Sequence, residues 1–149
     1  MCSRSFKKNG GQSSQALGRS RGGFSTKIHV SVDALGNPLR FTLTAGQSHD
    51  ITKAQALIAN YEHVIADRAY DPDDFLETIA DSGAIAVIPP RSNRNTSRSY
   101  DKHLYKERHL VECFIGKIKH YRRVFTRYDK LDTSYLGFIQ FVGALIWLR

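Results

Sequence analysis

With 149 residues, 41% hydrophobic and 24% charged, the chain has the size and composition of one globular domain with its own core. Two cysteines exclude a disulfide framework and point to a reducing compartment; no Cys/His cluster has zinc-finger spacing, and no apolar stretch reaches the about 20 residues of a membrane span. The net charge of +8 is split, with six Lys/Arg and no acid in residues 1–27, three against nine acids in 28–90, and twelve against four in 91–130. Two basic blocks around an acidic middle favour a polyanionic partner through counterion release, although such blocks also serve solubility.

Residues 1–23 are rich in Ser, Gly, Lys and Arg, lack periodicity, and read as a flexible basic segment with order beginning near Phe24. They lack the apolar core of a secretory signal. Lys27 to Val32 and Leu39 to Thr44 read as hairpin strands, turned by Asp33-Ala34-Leu35-Gly36-Asn37-Pro38. Ser48 or Asp50 caps a predicted helix from about Ile51 to Asn60. His63 to Asp67 is a short apolar run ending in an acid, the pattern of a buried strand. Asp71 at the N-cap, Pro72 at the first helical position and Asp73 and Asp74 in the first turn predict a helix that ends at Gly83. Ala84 to Ile88 reads as a second buried strand, closed by Pro89-Pro90. A polar loop over 91–101 with three arginines leads to a helix predicted from Tyr105 to about Tyr121. The apolar stretch 134–148 reads as a buried terminal helix, with Trp147 and the nearby Phe residues in the core rather than stacked on bases. Strands alternating with helices indicate an α/β layered domain over 24–149.

The long helix carries the densest chemistry. Tyr105, Arg108, Glu112 and Lys119 read Tyr-x2-Arg-x3-Glu-x6-Lys. At about 100° per residue they fall within a stripe about 60° wide, beside an apolar face of Leu104, Val111, Phe114, Ile115 and Ile118. A carboxylate can hold a divalent cation and the two cations can hold phosphate oxygens, so the stripe suits chemistry on a phosphodiester. A solvated charge run has the same appearance, and Glu107 interrupts the apolar face.

Asp67 closes a core strand, where open α/β sheets place their ligands; it is equally placed to cap the turn that follows. Paired with Glu112 it would supply two carboxylates to a two-metal phosphoryl-transfer site, provided the fold brings them together.

Together these residues resemble the insertion-sequence transposases of the DDE type, in the branch marked by a Tyr-Arg-Glu-Lys signature. The matching segments are LGRSRGGFSTKIHVSVDALGNPL, FTLTAGQSHDITKAQALI, VIADRAYDPDDF, AVIPPRSNR and YKERHLVECFIGKIKHYRRVFTRYDKL. The resemblance implies a ribonuclease H-like fold, with Asp67 as second acid and Glu112 as third. It places Tyr105, Arg108 and Lys119 on DNA near the element's ends, and the basic charge adds Arg122 and Arg123 on phosphates. It implies two Mg²⁺ (or Mn²⁺) ions, strand cleavage and transfer of the freed 3′ hydroxyls, a homodimer within the transposition complex, and a bacterial cytoplasm, with the protein on the nucleoid when bound to DNA. The first acid of the pattern belongs to a strand before the hairpin. Residues 1–23 contain no Asp or Glu, and Asp33 has turn chemistry, so the fold is expected to be incomplete, its first strand missing. The chain would then be the C-terminal part of a DDE catalytic domain. It would be one product of two overlapping frames, with Lys7-Lys8 compatible with a slippery tract, or a truncated remnant. A catalytically inactive DNA-binding fragment is the alternative function.

Overall fold

The computed structural model of the chain describes residues 15–20, 23–94 and 98–149. Strand β1 (Gly18–Ser20) pairs antiparallel with β2 (Gly23–Val32), which pairs antiparallel with β3 (Pro38–Ala45). Strand structure thus begins before Phe24, inside the segment expected to be flexible; residues 1–14 and 21–22 of that segment lie outside the described residues. The hairpin turn forms as its composition requires. Asp33 Oδ1 accepts from the backbone N–H groups of Leu35 and Asn37, both at 2.8 Å, and Gly36 takes φ +83°.

Alternation on β2 turns Ile28, Val30 and Val32 to one face. Against them and Phe41 and Leu43 of β3 pack Phe114 and Ile118 of helix α2 (His109–Lys119), Val124 of α3 (Arg122–Phe125), and Tyr135, Ile139 and Val142 of α4 (Asp132–Trp147). A second core joins the parallel pair β4 (His63–Ile65) and β5 (Ile85–Val87) to helix α1 (Asp73–Asp81), around Ala54, Phe75, Ile79, Ala84 and Ile88. No strand pairing joins the two sheets among the described residues. The result is mixed α/β, with small sheets and helices.

Four local readings need correction. The helix expected over 51–60 is two 3-10 turns, Asp50–Lys53 and Gln55–Leu57. Ile51, Ala54 and Leu57 recur every third residue, and a helix of 3.0 residues per turn aligns them where 3.6 would not. Pro72, not Asp71, is the N-cap of α1. The strands β4 and β5 are half-buried rather than buried: with two strands in the sheet, Ile85 keeps 58% of its surface exposed. The terminal helix buries one side only. Phe141 and Leu148 are exposed, and Trp147, at 52% exposure, lies at the surface with its indole N–H donating to the Pro38 carbonyl at 2.9 Å.

Behind the hairpin, His29 is buried with Nε2 2.8 Å from Thr44 Oγ1. Burial lowers its pKa and Lys27 adds to that, while Asp50 pulls the other way. A lowered value means the unfolded chain takes up the proton first, so this contribution to stability is intact above about pH 6.5 and lost as pH falls below it. We expect the wild-type melting temperature to fall between pH 7.5 and 5 by more than that of His29→Gln; equal falls in differential scanning fluorimetry would contradict the assignment.

Candidate nucleic-acid and metal site

The signature segment is built in two pieces. Asp101 Oδ1 accepts from the N–H groups of His103 (2.7 Å) and Leu104 (2.9 Å), which holds its carboxyl below the usual carboxylate range and starts a 3-10 turn over Leu104–Arg108. The α-helix begins at His109 and ends at Lys119, so the single helix expected from Tyr105 to Tyr121 is replaced by a 3-10 turn, α2, and the separate turn α3. The break at Tyr121 follows from its extended backbone (φ −84°, ψ 103°), which lets Val124 enter the core.

The change of helix type preserves the stripe. In a 3-10 turn residues three apart eclipse one another, so Tyr105 and Arg108 still share a side. The Arg108 Cζ lies 5.9 Å from the Tyr105 ring centroid, and its Nη2 meets Glu112 Oε1 at 2.7 Å. Three of the four signature residues are therefore in contact. Lys119, almost two turns beyond Glu112, is exposed, and its side chain makes no hydrogen bond or ion pair among the described residues. Arg122 is likewise exposed. Arg123 is engaged by Asp129, Nη2 to Oδ1 at 2.8 Å and Nε to Oδ2 at 3.2 Å, which raises the pKa of the guanidinium and lowers that of the acid.

Asp67 follows β4 and is exposed rather than buried. Its Oδ1 accepts from Ala69 N–H at 2.8 Å, capping the 3-10 turn Arg68–Tyr70. It has the capping role that the sequence left open. Beside it, burial together with Asp50 and Asp67 pushes the Tyr70 phenol up to about 12, so the O–H stays protonated at neutral pH. The 3-10 turn Leu104–Arg108 packs against β4, which sets the start of the signature next to the strand that leads to Asp67.

Exposed carboxylates such as Asp67 and Glu112 suit a hard divalent cation in donor type. Among the described residues, however, no group of three or more His, Cys, Asp or Glu can hold a metal ion, and all the Asp and Glu of the chain are among them. Asp33 is fully occupied: its second oxygen takes Asn37 Nδ2 at 3.1 Å. A groove of about 640 Å³ between β3 and α4, bounded by Pro38, Phe41, Gly143 and Trp147, contains no acid and is not a candidate for this chemistry.

Sequence reasoning missed the ionic centre that ties this region together. Asp71 is 2% exposed and accepts from Arg98 Nη2 at 3.0 Å and from the Arg91 backbone N–H at 2.9 Å, with Arg94 Nη1 at 3.5 Å. The Arg91 guanidinium donates back to the carbonyls of Ala69 (2.9 Å) and Arg68 (3.3 Å), the turn that Asp67 caps. Arg98 also donates to Ile88 O at 2.8 Å, and Arg94 pairs with Asp73. The signal was present: three arginines after Pro89-Pro90 answer the acid-rich Asp67-to-Asp74 stretch. Asp71→Asn should lower stability by about 1–3 kcal/mol, reduced from the fully buried case because both arginines are partly solvated. An unchanged urea midpoint would contradict it.

Comparison with known proteins identifies the family. The model of a family described as "Transposase DDE domain" matches residues 3–147. A Brucella ovis protein named as a transposase for insertion sequence element IS6501 is 43% identical over 128 residues, 83% of this chain and 98% of the relative. A Burkholderia cepacia protein named as a transposase for element IS402 is 28% identical over 135 residues, 81% of this chain; the match spans 62% of that relative's length. No solved structure gives a significant match. The chain belongs to the transposase DDE domain family.

Proposed function

We propose that this chain binds the DNA ends of an insertion sequence and forms the C-terminal part of a ribonuclease H-like catalytic domain, active in strand cleavage and transfer once a third carboxylate is supplied from outside it. The observation that carries the reading is the contact series Tyr105, Arg108 and Glu112, on a segment packed against the strand that leads to Asp67. The family generally uses divalent metal ions, and Asp67 and Glu112 are the residues that would hold Mg²⁺ or Mn²⁺ here. Held by these two carboxylates, a divalent cation would supply Lewis-acid stabilisation of charge on phosphodiester oxygens. The protein's own groups do the rest. Arg108, paired with Glu112 and partly exposed, would meet a DNA phosphate. Lys119 and Arg122, exposed on the same basic block, meet further phosphates. The Asp71 centre keeps the Arg68–Tyr70 turn, and with it Asp67, in place.

In a protein completed with the third acid, Glu112→Gln should lower cleavage of element-end DNA in Mg²⁺ about a thousandfold, because a carboxamide oxygen is a poor ligand for the cation and several kcal/mol of stabilisation depend on it. Retained cleavage rejects the role of Glu112.

A second reading is a DNA-binding fragment that does not cleave, supported by the exposed cations Lys119 and Arg122. Its binding constant for duplex DNA should fall steeply with salt, and the log–log slope should lose about one unit for each of Lys119→Gln and Arg122→Gln. A flat salt dependence excludes phosphate neutralisation as the driving force.

A further inference from the structure

The connection from α2 to α4 presents two large aromatic rings to solvent: Phe125 is 72% exposed and Tyr128 62%. A floppy loop would explain exposure without purpose, but this loop is pinned. Val124, one residue before Phe125, is in the core, and its carbonyl accepts from the Tyr135 hydroxyl at 2.6 Å. Arg123 clamps Asp129 with two hydrogen bonds and lies 4.9 Å from the Phe138 ring centroid. Arg127 donates to the carbonyls of Gln15 (2.8 Å), Ala16 (3.3 Å) and Asp129 (3.1 Å), bonds Thr26, and covers the Tyr135 ring at 5.1 Å. With their neighbours fixed inward, Phe125 and Tyr128 are held outward.

The surroundings say what such rings would meet. Lys117, Lys119, Arg122 and Lys130 are exposed in the same stretch, whose one acid, Asp129, is spent on Arg123. Arg122 and Phe125 are three apart in α3 and share a side of its single turn. Fixed aromatic faces among unspent cations are the chemistry that binds a single strand: bases stack on the rings while phosphates meet the cations. A duplex offers the cations the same phosphates but hides its base faces, so the rings add little to duplex binding. A second copy of this surface would bring like charges together, which disfavours it as the occupant.

We propose that Phe125 and Tyr128 form a stacking site for unpaired nucleobases of a DNA strand. The proposal rests on the reading that this basic face meets DNA, and adds that it selects unpaired over paired strands. The full chain is titrated by fluorescence anisotropy against a labelled single strand of about 20 nucleotides and against its duplex. The double variant Phe125→Ala/Tyr128→Ala should weaken single-strand binding about tenfold or more while leaving duplex binding within about twofold. Phe125→Trp/Tyr128→Trp should retain single-strand binding, because a tryptophan face also stacks. Equal losses on both substrates, no loss on either, or failure of the Trp variant to bind single strand overturns the stacking site while leaving duplex binding, and the DNA reading, standing. Absence of binding to both by the wild-type chain overturns the DNA reading and the stacking site together. Self-association of the wild type in sedimentation, abolished in the Ala variant, assigns the rings to a second copy and overturns the proposal.

Discussion

The packing of Phe114 and Ile118 against the β2–β3 hairpin is the constraint from which the rest follows. Both side chains are fully buried, and the Phe114 ring lies 5.9 Å from that of Phe41. Two large residues four apart define one side of a helix, so burying them sets the rotation of α2 about its own axis. Glu112 and Lys119 then have no choice but to face away from the core. Upstream, Asp101 starts the 3-10 turn in the phase that carries Tyr105 and Arg108 onto the same side. The polar stripe is thus a consequence of apolar packing, and its charged residues are not what holds it in place; the Arg108–Glu112 pair, with Glu112 59% exposed, is worth a few tenths of a kcal/mol.

Around this anchor the charges sort themselves by burial. Three acids of the acidic middle are paired from both sides: Asp71 by Arg94 and Arg98, Asp73 by Arg94, and Asp50 by Lys27 at 2.8 Å. The arginines nearest the acidic block are therefore structural. The cations left for a partner lie further on, at Lys117, Lys119, Arg122 and Lys130. Block arithmetic over the sequence finds the right sign and overestimates how many charges are available, since it cannot see which are spent within the fold.

Much of the fold was legible. Hydrophobic period two marked the hairpin, Asp33, Gly36 and Asn37 its turn, and the acid-first, glycine-last pattern marked α1. These are local signals, carried by residues within a few positions of one another. The misreadings arose where a local preference met a distant partner. Asp71 satisfies every rule for an N-cap, but two arginines more than twenty residues away offered a buried carboxylate more than a helix end did. Residues 51–60 have helix-forming composition, but the second core took Ile51 and Ala54 at three-residue spacing. The terminal stretch is apolar enough to be buried all round, but among the described residues no layer lies beyond it, so Phe141 and Trp147 are exposed.

The sequence alone determined which residues could carry chemistry: the spacing of Tyr105, Arg108, Glu112 and Lys119 commits them to one side of an α-helix, because its periodicity is a property of the backbone. It likewise determined that residues 1–32 carry no Asp or Glu. Tertiary structure decided what each group is free to do. That Asp71 is the buried ionic centre, and that Phe125 and Tyr128 stand out among unspent cations, depends on contacts between residues far apart in the chain. Burial and pairing belong to the packed arrangement as a whole, and no local pattern encodes them.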